Sequence, residues 1–97
     1  MKNFIYPACF YLEDNGQYSV IFPDFNGATY GNNIEDAYNM AVDILGGMIV
    51  SLQDDKENLP NPSDIQKVKA DEYPNGFVSL VSVNTEVYRD NKAVKNY

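Results

Sequence analysis

Apolar positions fall into two repeating patterns along this chain. Near the start, "FIYPACFYL" (Phe4 to Leu12) is a strand-length run of aromatic and aliphatic residues. After the polar stretch "EDNGQ", the segment "QYSVIF" alternates. It puts Tyr18, Val20 and Phe22 on one face and Ser19 and Ile21 on the other, as a strand with one covered face requires. Asn15-Gly16 between the two runs is a strong hairpin signal, with both turn positions expected at positive φ. Pro7 interrupts the first run, so that strand is expected at an edge or kinked there. Pro23 ends the second, because it has no ladder donor.

The pattern then lengthens to a helical period. Gly27 and Gly31 bracket "ATY", a short third strand. Ile34, Ala37, Tyr38, Ala41, Leu45, Met48, Ile49 and Leu52 recur at three-and-four spacing, which predicts a helix from about Ile34 to Gln53. Asn33, or Asn32 before it, suits the N-cap, and Glu35 and Asp36 place negative charge in the first turn. The opposite face carries Glu35, Asp36, Asn39 and Asp43. Gly46-Gly47 costs about 1 kcal/mol per glycine in mid-helix. It implies a close approach to the sheet or to another chain.

A polar loop, "DDKENLPNPSD", follows, and then "IQKVKADEYPNG", read as partly extended. "GFVSLVSVNT" is apolar on both faces, which predicts a central strand. "EVYRDNKAVKNY" reads as a polar tail, marginal as a helix. The expected fold is α+β, a two-layer β-β-β-α-β arrangement with one helix on a small, mainly antiparallel sheet. Its second sheet face is expected to be solvated or covered by another chain. Residues 1–88 form the domain in this reading, and 89–97 a C-terminal tail or linker.

Composition narrows the function classes. The chain has 97 residues, one domain's worth, and fourteen acidic against seven basic residues give a net charge of −7. Such a surface repels phosphate backbones and attracts a basic protein. There is no His, which removes Ser-His-Asp triads, Cys-His pairs and His-ligated zinc together. Cys9 is the single cysteine, set among apolar neighbours, and is expected to be structural. With no disulfide framework, and with a start too short and polar to span a membrane, the chain reads as cytoplasmic.

The glycine- and acid-containing centre admits two chemical readings. Asp24 with Glu35, Asp36 and Asp43 offers carboxylates for a magnesium-dependent nuclease. However, the spacing puts the three helix carboxylates on the face expected to point to solvent and does not converge them on Asp24, which otherwise shapes the turn after Pro23. "NGATYGNN" lacks the lysine and spacing of a phosphate loop. An anion at the helix start would meet Glu35 and Asp36. No catalytic residue, metal or cofactor is expected. Another alternative is an oligomeric protein-binding module with a different partner.

Four ordered segments, "YPACFYLEDNGQYSVIFPDFNG", "GNNIEDAYNMAVDIL", "LPNPSDI" and "VSVNTEVY", together cover nearly the whole chain. In this order they resemble the HicB antitoxin family. The resemblance implies part of an RNase H-like fold without a functioning nuclease site. It also implies binding to a HicA-like toxin, a small basic ribonuclease that cleaves mRNA, by occlusion of its RNA or active-site surface. Self-association as a dimer or tetramer is implied too. Many members continue into a DNA-binding segment. "RDNKAVKNY" is similar to the linker before it, and no direct DNA contact is expected from this chain. The expected partner surface comprises Asp24, Glu35, Asp36, Asn39 and Asp43.

Overall fold

In the computed structural model, which describes residues 2–71 and 76–93, four strands form one antiparallel sheet. These are β1 (Asn3–Leu12), β2 (Tyr18–Phe22), β3 (Gly27–Gly31) and β4 (Gly76–Asn84), in the order β3-β2-β1-β4. Helix α1 (Ile34–Asp54) lies across one face, and α2 (Thr85–Ala93) follows β4. The two-layer α+β arrangement expected from the apolar pattern is present, with a second helix added.

Alternation decides what enters the core. Tyr6, Ala8 and Phe10 of β1, Val20 and Phe22 of β2, and Val81 and Val83 of β4 are buried together. Ala37, Ala41, Leu45 and Ile49 of α1 meet them, one residue per turn. Burying each large apolar side chain of this set contributes about 1.5–3 kcal/mol. Gly31 is required where α1 begins, because a Cβ there would overlap the backbone of Ala37.

Several details differ from the expectation. The β1–β2 hairpin is not a two-residue turn. Gly16 N–H donates to Glu13 O at 3.0 Å and Glu13 N–H to Gln17 O at 2.8 Å. Only Gly16 of the pair has positive φ, at 86°. A type I turn closed by a left-handed glycine explains this, leaving Asn15 in ordinary geometry. β4 is an edge strand, not a central one. Its helix-side valines sit under the helical layer, while Leu80 on its other face stays exposed. β1 is central despite Pro7. It pairs with β2 only from Cys9 onward, so Pro7 lies where that side of β1 is locally an edge.

The tail contains a docked helix. Asn84 Oδ1 accepts the Val87 N–H at 3.0 Å, capping α2. The Tyr88 ring fills the notch at Gly46-Gly47, where a Cβ on Gly46 would overlap it. The two glycines therefore admit a helix of the same chain, rather than the sheet or another molecule. α2 runs across position 88 without a break.

The second sheet face is partly covered by the chain itself. α1 ends in a Schellman turn, with Glu57 N–H on Leu52 O at 2.9 Å and Lys56 N–H on Gln53 O at 3.0 Å. Lys56 takes the left-handed position usually given to glycine, with φ 58°. The following segment reaches Cys9, whose thiol lies 3.9 Å from Lys69 O. Pro7, Cys9 and Tyr11 on that face are buried. The stretch "EYPN" within the expected extended region lies outside the described residues.

Candidate functional site

The five residues expected at a partner surface lie in different parts of the fold. Asp24 sits in the turn between β2 and β3, at the opposite end of β3 from the start of α1. Its carboxylate accepts the Ser63 N–H at 3.0 Å and also the Ser63 hydroxyl. The neighbouring Phe25 ring packs edge-on against Tyr6, 4.6 Å between centroids at 69°. Tyr6 in turn donates its hydroxyl to Pro60 O at 2.6 Å. Burial, and secondly the Asp24 charge, raise the Tyr6 phenol above its ordinary value. Asp24 thus anchors the loop after α1 to the β2–β3 turn.

Glu35 and Asp36 stand at the start of α1. Glu35 is exposed. Asp36 is engaged in reciprocal capping: its N–H donates to Asn33 Oδ1 at 2.8 Å, and its carboxylate accepts the Asn32 N–H at 2.9 Å. Asn33 is the cap of the two asparagines considered. Asn39 is exposed one turn further on. Asp43 lies 3.0 Å from the Lys92 ammonium, holding that lysine above its usual value through a hydrogen bond and charge.

The structure brings Asn39 and Asp43 together. Both line a groove of about 640 Å³ between α1 and α2, floored by Val42, Val83 and Tyr88. A second groove, about 650 Å³, runs along α1 past Phe25, Met40, Ile44 and Met48. Glu35 and Asp36 lie beyond the first groove at the helix start, and Asp24 is remote from it. Among the described residues no three His, Cys, Asp or Glu side chains gather in a metal-holding arrangement. The carboxylates proposed for a nuclease do not converge.

The apolar pattern hid the exposed hydrophobics. Ile34 belongs to the helical stripe by spacing, yet it overhangs the sheet end and is open to solvent. Leu12 and Phe77 belong to apolar strand runs and are also exposed. Their position at the ends of predicted elements was the available signal. No helix among the described residues is long and apolar enough to cross a membrane.

The sheet and its covering helix define a small two-layer α+β domain that leaves apolar and acidic side chains open. The chain belongs to the HicB-like antitoxin family: the model for "HicB_like antitoxin of bacterial toxin-antitoxin system" matches residues 6–96. Among solved structures it is similar to a toxin–antitoxin complex from Streptococcus pneumoniae. There the identity is 31% and the TM-score 0.78, covering 89% of this chain and 72% of that one. It is also similar to the N-terminal domain of the Burkholderia pseudomallei antitoxin HicB, at 26% identity and TM-score 0.72. That match covers 84% of this chain and 99% of that one. A HicA3–HicB3 toxin–antitoxin complex shares the fold at 24% identity and TM-score 0.65, over 84% and 99% of the two chains. No curated protein matches.

Proposed function

We propose that this chain binds a small, basic, mRNA-cleaving toxin of HicA type and neutralises it by covering its RNA-binding or catalytic surface. The observation that carries the reading is the family match across residues 6–96, together with likeness to a solved toxin–antitoxin complex at 31% identity. The net charge of −7 supports it, since an acidic surface speeds encounter with a basic partner. The chain itself does no chemistry in this reading, and acts in the cytoplasm as a homo-oligomer. Its acidic surface makes no contact with DNA phosphates. Residues 1–88 carry toxin binding.

The contact surface in this proposal centres on the start of α1, with Glu35 and Asp36, and continues along Asn39 and Asp43. Asp24 contributes indirectly, because its carboxylate is already bound by Ser63.

The test is reconstitution with the product of the adjacent gene. Stoichiometric addition of this chain should abolish RNA cleavage by that product, and the two should elute as one complex. Equal cleavage with and without the chain defeats the reading. Magnesium-dependent RNA cleavage by this chain alone, lost in Asp24→Asn, would establish a nuclease instead.

A further inference from the structure

One end of the molecule combines open apolar side chains with unneutralised charge. Phe77 stacks on the buried Phe10 ring, 5.3 Å between centroids, yet is 42% exposed. Tyr18 meets Phe77 edge-on at 6.5 Å. Leu12 is the register partner of Tyr18 on the same sheet face and is 44% exposed. Gly31 pairs with Tyr18 on the other side and lies against the first turn of α1. Ile34, in that turn, is 45% exposed. It precedes Ala37, Tyr38 and Ala41 on the sheet-facing stripe, so it extends the same apolar surface past the sheet end.

The rim of this surface is acidic. Asp14 is exposed in the β1–β2 turn, beside Glu13, whose carboxylate accepts the Ser19 hydroxyl at 2.7 Å. Gln17 of that turn bonds Asn32 at 3.2 Å, which draws the hairpin tip to the helix start. Glu35 and Asp36 are there. Among the described residues no ion pair engages Asp14, Glu35 or Asp36, and the paired cations lie elsewhere. Lys2 pairs with Glu86 at 2.9 Å and Arg89 with Asp54 at 2.9 Å. Both pairs are at the other end. Lys92 pairs with Asp43, about 12 Å along α1 from Glu35 at 1.5 Å per residue. Lys56 follows α1, and Lys67 and Lys69 belong to the segment on the reverse sheet face, which reaches this end where Ala70 O lies beside Gly76.

We infer that this end is the docking surface for the toxin, with Leu12, Ile34 and Phe77 as the apolar centre and Asp14, Glu35 and Asp36 as the steering rim. The inference rests on the proposed antitoxin function and names the surface that performs it. Charge complementarity selects the occupant. A partner must offer an apolar projection ringed by Lys or Arg, which neutralises the rim on contact. A second copy of this chain would set like charges face to face across the same centre, which opposes pairing.

The division of labour is testable through rates. Apolar contacts at the centre hold the complex, so Leu12→Ser with Ile34→Ser should speed dissociation by about tenfold or more. The rim steers encounter, so Asp14→Lys with Glu35→Gln should slow association by about tenfold at low salt. Ile5→Ser with Leu80→Ser, at 50% and 47% exposure on the reverse face, should leave both rates within about twofold. The partner is the purified product of the adjacent gene, and circular dichroism confirms folding of each variant. Rim variants replace only exposed side chains, so they retain the test if the apolar variants unfold. If the reverse-face pair loses binding while the centre and rim variants keep it, the surface is misassigned, although the antitoxin function stands. A smaller sedimenting species for Leu12→Ser with Ile34→Ser, with toxin affinity unchanged, would make the occupant a second copy and overturn the inference. Failure of the unaltered chain to bind at all removes the function and the surface together.

Discussion

At Asp24 a carboxylate meets two donors of one serine, the Ser63 N–H and hydroxyl. Hydrogen bonds to a charged acceptor contribute about 1.5–3 kcal/mol when partly shielded from water. Here they hold the loop that continues over Cys9. Asp24→Ala should therefore lower stability by about 1–3 kcal/mol. It should also raise the reaction rate of Cys9 with a disulfide reagent severalfold, measured by thiol titration of the native protein. An unchanged rate would mean that the loop is held by other contacts. Tyr6 gives the same region a pH dependence. Its phenol titrates above the ordinary 10.0 because of burial and then the Asp24 charge. The folded state thus favours the protonated hydroxyl. That contribution is whole below about pH 10 and is lost as pH rises through the folded value. Urea midpoints measured over about pH 8 to 11 should fall less steeply at the alkaline end for Tyr6→Phe than for the unaltered chain.

Among the elements, α1 makes two close approaches of different kinds. At Gly31 a methyl group would overlap the backbone of Ala37, which cannot rotate aside. At Gly46 it would overlap the ring of Tyr88, carried by the short α2. Gly31→Ala should cost about 3 kcal/mol, because sheet and helix must separate to relieve it. Gly46→Ala should change global stability by about 1 kcal/mol or less, since α2 can lift away and alanine favours helix by a similar amount. Urea unfolding checks the order. Hydrogen exchange should show α2 amides losing protection in Gly46→Ala while β1 keeps its own. The α1 pattern was plain in the sequence because its apolar residues recur at helical spacing over five turns. α2 was not, because nine mostly polar residues span only about two and a half turns, too few for a period to show. Its capping residue Asn84 and the Tyr88–glycine fit become visible only with both segments in place.

For the whole molecule, the layered α+β plan was legible from local pattern, as was the order of the first five elements. The placement of strands within the sheet was not. β4 is apolar on both faces for two separate reasons, helices on one side and partly covered strand on the other, and a one-dimensional pattern cannot tell this from a central strand. The candidate site divided likewise. Glu35, Asp36, Asn39 and Asp43 were readable as one acidic helix face, because helical spacing alone fixes their relation. Their relation to Asp24, which is bound by Ser63 thirty-nine positions away, depends on how the loop returns.

By itself the sequence determined the alternation of β1 and β2, the extent and cap of α1, the acidic balance, and the ordered segments that resemble HicB antitoxins. These follow from neighbours along the chain, where period, capping chemistry and charge are local quantities. Tertiary structure alone decided which carboxylates stay open and which are committed to Ser63 or Lys92. It also decided that α2 folds, and that Leu12 and Phe77 lie at the end of the sheet where α1 begins. Each of these joins residues far apart in sequence, and packing selects such contacts only after the sheet and helix have come together.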